Sequence, residues 1–223
     1  GKKSSYITKL ARIDDAEPVL SDRQITEGYL ADIEASPFAI SKIKKSERRR
    51  KPAAPFITST LQQEASRRLG YTARRTMIIA QQLYEGLDLG EGGATGLITY
   101  MRTDSTNIAE VAQNEARDFI LNTYGKDYLP ETPPRYKTRA QSAQEAHEAI
   151  RPTSVLRQPE SVKSFLSPEQ FKLYQLIWQR FVSSQMESAV YDTLSVEVTA
   201  DGKAHKYLFR ASGSTIKFPG FLV

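Results

Sequence analysis

Gly96-Leu97-Ile98-Thr99-Tyr100-Met101-Arg102-Thr103-Asp104-Ser105 is the stretch on which the reading of this chain turns. Leu97 to Tyr100 predicts the tail of a short buried strand, and a polar, hydrogen-bonding turn follows at once. A phenol then stands at a strand end with a guanidinium two residues on. In extended backbone, positions two apart share a face, so Tyr100 and Arg102 are expected to point at one object. That pair suits a phosphodiester: the phenol attacks, and the planar fork of the guanidinium holds the phosphate oxygens. A free phenol has a pKa of about 10 and needs help losing its proton, which a nearby cation provides by favouring phenolate. The same residues admit plainer readings: Tyr100 as a half-buried strand tyrosine, Arg102 paired with Asp104, and Thr103 to Ser105 as turn and capping residues. An acid that orients Arg102 is compatible with an Arg102 that grips phosphate.

Outward from this segment, the flanking patterns are mainly helical. Leu61, Ala65 and Leu69 form an apolar stripe ended by Gly70, and Thr72 is placed to cap a second helix that ends near Gly86. Helix, short turn, helix, glycine-rich loop and strand is the order of a winged helix-turn-helix. Arg67, Arg68, Arg74 and Arg75 flank that pair, as phosphate-neutralising cations or as a solvated helix surface. On the other side, Asn107 with Glu110 predicts a helix start, with an inner face of Ile108, Val111, Ala112, Phe119 and Ile120. Ser142 with Glu145 caps a short helix that stops before Pro152. Ser167, Pro168 and Gln170 combine a cap, a first-turn proline and a capping box. The helix they open is expected to bury Phe171, Tyr174, Ile177, Trp178 and Phe181.

Strand patterns lie at the two ends. Tyr6 to Asp14 and Phe38 to Ile43 read as strands, with a helix opened by Ser21 and Gln24 between them. Lys44 to Lys51, followed by Pro52 and Pro55, reads as a linker. From Tyr191 the period becomes two, Asp201-Gly202 signals a hairpin turn, and Tyr207 to Phe209 returns. The fold class expected is α+β: a β-rich domain from residues 1–55 and 190–223, with a mainly helical, winged-helix-like domain inserted at 56–189.

Composition narrows the function. The 223 residues are 39% hydrophobic and 26% charged, with a net charge of +5, which favours a polyanionic partner. There are no cysteines and two histidines, His147 and His205, which excludes disulfides, thiolate metal sites and histidine-rich metal sites. No apolar run approaches the roughly 18 residues of a membrane span, and Gly1 to Ser5 lacks the apolar core of a signal peptide. A soluble cytoplasmic protein is expected. The chain starts almost directly in a strand-like segment and stops just after Phe218-Pro219-Gly220, so an excised piece of a longer protein is expected too.

The Gly96 to Ser105 segment closely resembles the active-site motif of type IA DNA topoisomerases. Two further segments resemble that family: Gln144-Glu145-Ala146-His147-Glu148-Ala149-Ile150-Arg151-Pro152-Thr153, and Ala54-Pro55-Phe56-Ile57-Thr58-Ser59-Thr60-Leu61-Gln62-Gln63-Glu64-Ala65. The Met101-Arg102-Thr103 wording fits the bacterial topoisomerase I branch. The resemblance implies that Tyr100 attacks a single-stranded DNA phosphate and becomes joined to its 5′ end, with Arg102 stabilising the scissile phosphate. It implies that His147 approaches the DNA backbone near the nucleophile, and Asp104 and Arg151 are carried with it as DNA-binding residues. Read alone, His147 is a capping or packing histidine, or a cationic phosphate ligand where the flanking glutamates come close, and Arg151 serves equally to meet the carbonyl end of its helix. The hydroxyls of Thr58, Ser59 and Thr60 look like helix caps.

In that family the β domain is an arch and the helical domain swings from it. The family also carries a magnesium-binding acidic cluster, and no Asp-x-Asp-x-Glu pattern is present here; Asp14-Asp15 with Glu17 is the nearest and reads as a loop. Mg2+ is therefore expected outside this chain, on an N-terminal module of the same polypeptide, and the chain alone is expected to be inert. DNA is the expected partner. The competing expectations are a non-catalytic DNA-binding module, whose binding would survive loss of Tyr100, and a structural interaction domain without salt-dependent DNA binding.

Overall fold

The computed structural model describes residues 5–90, 92–136 and 147–223. In chain order the elements are β1 (Lys9–Ile13), α1 (Arg23–Glu34), β2 (Phe38–Arg50), α2 (Thr58–Leu69), α3 (Ala73–Glu85), β3 (Leu87–Asp88), β4 (Ala94–Thr95), α4 (Glu110–Tyr124), α5 (Pro159–Val162), α6 (Pro168–Ser184), β5 (Ala189–Asp201) and β6 (Lys206–Phe218). They form two compact units, one made of residues up to Arg50 with Val190–Phe218, the other of Lys51–Ala189 with Pro219–Val223. The class is mixed helix and sheet.

The first unit is a four-stranded sheet in the order β1-β6-β5-β2. β5 and β6 pair antiparallel from Val190↔Phe218 to Asp201↔Lys206, so the return strand is far longer than Tyr207 to Phe209. Helix α1 starts at the Asp22 carboxylate, which accepts the Ile25 amide at 3.0 Å, one residue beyond the expected Ser21 cap. Its Tyr29 and Ile33 pack on Ile13, Ala200 and Tyr207. The basic run is not a linker. Through Arg50 it is the far half of β2, an edge strand exposed at every position. Lysine and arginine on an edge strand keep other chains from pairing with it, so a run of charge here marks solvent rather than irregular backbone. Lys217 pairs with Glu47, and the Arg48 guanidinium lies 5.4 Å from the Tyr191 ring centre.

The second unit holds the larger core. Leu61 and Ala65 of α2, Ile79 and Leu83 of α3, Ala116 and Ile120 of α4, and Tyr174, Ile177 and Phe181 of α6 are all at most 1% exposed. Each such large apolar side chain contributes about 1.5–3 kcal/mol by leaving water. Polar tips in this core are satisfied: the Trp178 indole donates to the Val155 carbonyl at 2.9 Å and the Tyr174 hydroxyl to that of Arg157 at 2.6 Å. The α6 start follows its sequence signals, with Ser167 and Gln170 closing a capping box. Gly70, in the left-handed conformation at φ 71°, ends α2, and Thr72 caps α3 by accepting the Arg75 amide at 3.1 Å. Gly86 has φ 107° and the backbone of Thr95 would lie 3.0 Å from a side chain there, so only glycine lets β3 and β4 fold back against the end of α3.

Helix α4 departs from its expected start and face. It begins at Glu110, because the Asn107 amide bonds to Ser105 and the Asn107 carbonyl accepts the Ala149 amide, holding that stretch extended. Val111 is consequently 82% exposed, and Ala116 takes the inner position.

Candidate active site

The three segments singled out by their wording meet in the second unit. The Ile150 amide donates to the Phe56 carbonyl at 2.8 Å, joining the segment before α2 to the stretch after His147. The Leu97 amide donates to Leu83 at 2.8 Å, Thr153 donates to Leu97 at 3.0 Å, and Thr99 donates to Arg151 at 2.9 Å. The expected strand at Leu97 to Tyr100 is thus reduced to one β-bridge, Ile98 with Pro152. The Arg151 amide goes to the Thr99 hydroxyl at 3.0 Å instead of the Thr99 carbonyl, so the ladder stops and the backbone bends at Thr99.

The bend sorts side chains by exposure. Leu97 and Ile98 are buried, Tyr100 is 48% exposed, Met101 is 1% exposed and Arg102 faces solvent. Met101 therefore anchors the turn while the residues on each side of it project outward. The Tyr100 ring meets Tyr84 edge-on, with centres 5.2 Å apart.

A cavity of about 440 Å³ is walled by Ile57, Thr58 and Ser59 at the start of α2, by Arg102, Thr103 and Asp104, and by His147. The fold thus brings Arg102, Asp104 and His147 to one place. Tyr100 is two residues from Arg102 but is not part of that wall. Among the described residues Arg102 has no carboxylate partner, Asp104 included. His147 is exposed and not helical; the helix expected from Ser142 and Glu145 lies outside the described residues. Glu148, its neighbour, is engaged elsewhere, taking the Ala109 amide at 3.1 Å and the Arg151 guanidinium.

Arg151 does not face the cavity as a free cation. Its side chain is 10% exposed, its Nε donates to Glu148 at 2.8 Å and its Nη1 to the Pro152 carbonyl at 2.9 Å. The guanidinium is held within its own segment, between the Glu148 carboxylate and the Pro152 carbonyl. The carbonyl it meets is that of the following residue, since no helix ends there.

Thr58 and Ser59 were legible only as caps. At the start of α2 it is the Thr60 hydroxyl that turns back on the backbone, accepting the Ile57 amide at 3.0 Å. That leaves the Thr58 hydroxyl for the 101–103 turn and puts Ser59 on the cavity wall. Nothing in their spacing distinguishes these roles; a run of three hydroxyls was the sole signal.

The arginines beside α2 and α3 are partly paired with two carboxylates. Arg67 and Arg68 contact Glu64 at 2.8 and 2.6 Å, and Arg75 forms a two-pronged pair with Glu169. Glu64 is 8% exposed and Arg180 lies 3.7 Å from it. A second cavity, about 1080 Å³ and including Glu110, Arg135 and Glu187 in its wall, contains none of Tyr100, Arg102 and His147.

The DNA topoisomerase family profile matches residues 5–223. This chain belongs to the bacterial type IA DNA topoisomerases. Among solved structures, it is similar to full-length topoisomerase I from Thermotoga maritima, at 37% identity with a TM-score of 0.75. The match covers 94% of this chain and 32% of that one, so this topoisomerase chain spans about a third of the length of its relative. No helix among its described residues is long and apolar enough to cross a membrane.

Proposed function

We propose that this chain supplies the nucleophile of a type IA topoisomerase that relaxes negatively supercoiled DNA in the bacterial cytoplasm. The carrying observation is the convergence of the three motif segments on one cavity that Arg102 lines, with Tyr100 half exposed two residues before Arg102 in the chain. Tyr100 Oη attacks a phosphorus of single-stranded DNA. The new bond is Tyr–O–P at the 5′ side, the bond broken is P–O3′, and the departing 3′ oxygen takes up a proton. The reverse attack by that 3′ hydroxyl reseals the strand after the other strand has passed. One phosphodiester is exchanged for another, so the step needs no ATP.

Arg102, without a carboxylate partner among the described residues, places a planar guanidinium where charge accumulates on the phosphate oxygens. His147 and Asp104 share its cavity, His147 as a donor to the backbone phosphate and Asp104 as an acceptor that orients the donors. The sheet unit corresponds on this reading to the arch, and α2, α3 and the β3–β4 hairpin to the winged-helix-like body carried by it. No three acidic or histidine residues among those described are grouped to hold a metal ion. Mg2+ is assigned to other parts of the parent polypeptide, and this chain alone is expected not to relax plasmid DNA. A purely DNA-binding reading would use the exposed Arg67, Arg68, Arg74 and Arg75, and it gives no role to the convergence of the three motif segments.

The test uses the complete parent enzyme and an end-labelled single-stranded oligonucleotide. Tyr100→Phe should leave folding unchanged and yield no covalent adduct after denaturation. An adduct retained by the phenylalanine variant would sink the assignment.

A further inference from the structure

We infer that Thr58 is a positioning residue for Arg102, acting through the backbone turn that carries it. This rests on the function proposed above. The Thr58 hydroxyl donates to the Met101 carbonyl at 2.8 Å, with the Thr103 carbonyl also within 3.0 Å, and accepts the Thr103 amide at 2.9 Å. The Thr58 amide donates to the same Thr103 carbonyl at 3.0 Å. One side chain therefore satisfies the backbone on both sides of Arg102 and makes no hydrogen bond to Arg102 itself.

Three observations set this apart from ordinary helix-end chemistry. Helix α2 does not use the Thr58 hydroxyl for its start, because that hydroxyl bonds Met101 and Thr103 while the Thr60 hydroxyl takes the Ile57 amide. The helix is held in the core by Leu61 and Ala65, each 0% exposed, so its docking does not depend on the hydroxyl either. The turn it closes has Met101 as its buried anchor and, in the middle, a solvent-facing arginine with no carboxylate partner among the described residues. A flexible side chain on a fixed backbone can be aimed at a developing charge with little reorganisation. Without the hydroxyl, the Met101 and Thr103 groups turn to water or to each other, and the base of Arg102 shifts.

The chemistry predicts a loss in the cleavage step rather than in binding. In the complete parent enzyme, Thr58→Val should lower the rate of adduct formation by between tenfold and about a hundredfold, with oligonucleotide Kd changed less than about twofold. Thr58→Ser should restore the rate to within about threefold. A double-mutant cycle decides the route: in an Arg102→Ala background, Thr58→Val should have almost no further effect, because its action passes through the missing side chain. Independent, multiplying losses would overturn the inference, as would a Thr58→Val enzyme with unchanged cleavage. If Thr58→Val does not fold, Thr58→Ala removes the same hydroxyl without adding volume and enters the same cycle. If neither folds, the hydroxyl is a folding determinant and the inference falls. An unchanged enzyme that forms no adduct would overturn the proposed activity first, which distinguishes that failure from this one.

Discussion

Thr99 and Arg151 hold each other by two backbone-directed hydrogen bonds: the Thr99 amide donates to the Arg151 carbonyl at 2.9 Å, and the Thr99 hydroxyl accepts the Arg151 amide at 3.0 Å. The same hydroxyl donates to the Ala149 carbonyl at 2.6 Å. The residue before the proposed nucleophile is thus fastened to the segment that carries His147. Thr99→Val keeps the shape and removes the hydroxyl, leaving a part-buried amide and carbonyl unmet. It should cost about 1–2 kcal/mol, read from urea unfolding, with Thr99→Ser close to the original stability.

Arg151 should behave as a structural residue. Arg151→Ala leaves the Glu148 carboxylate beside an empty, mostly buried space, at a cost of about 2–3 kcal/mol. Oligonucleotide affinity should keep its slope against salt, since no phosphate contact is lost. A slope reduced by about one unit with normal stability would return Arg151 to the DNA surface.

His147 is exposed and unburdened by packing, so its replacement should spare the fold. His147→Ala should lower adduct formation by about tenfold without abolishing it, with an unchanged melting temperature. Cleavage equal to the original at every pH between 5 and 8 would reduce His147 to a surface residue.

The sheet unit should be acid-sensitive at its hairpin. Burial alone would raise the Asp32 pKa, but hydrogen bonds from the Tyr207 hydroxyl and the Lys203, His205 and Ala204 amides outweigh it and hold the carboxyl below its usual value. The Lys206 amide and the His205 ring do the same for Asp14. Folded values below unfolded ones mean stability that is present above about pH 4 and is lost as pH falls through the lowered pKa. Tyr207 is pushed up to about 12, by burial first and then by Asp32. That contribution is intact below about pH 10 and declines as pH rises above it. Asp32→Asn should flatten the acid limb of a plot of unfolding midpoint against pH; an unaltered limb would remove Asp32 from the account.

Local signals carried the helices well where caps and stripes coincided. Ser167-Pro168 with Gln170, Thr72 and Gly70 mark ends that depend on backbone groups within a few residues, and those ends lie where the residues put them. The same local logic misplaced the start of α4, because Asn107 is held extended by Ala149, a partner 42 residues away. It also read Lys44 to Lys51 as a linker, because pairing with β5 leaves no trace in β2 itself.

What the chain settled by itself was chemistry and local geometry: a phenol two residues from a guanidinium, no thiols, a basic balance, and helices whose ends are written in neighbouring side chains. What only the tertiary structure decided was which groups are available. Among the described residues Arg102 is left without a carboxylate partner, Arg151 is locked on Glu148, and the Thr58 hydroxyl closes a turn 43 residues further on. Hydrogen bonds and ion pairs form between whatever the fold brings within about 3 Å, and that proximity is a property of the packed chain, not of any stretch of it.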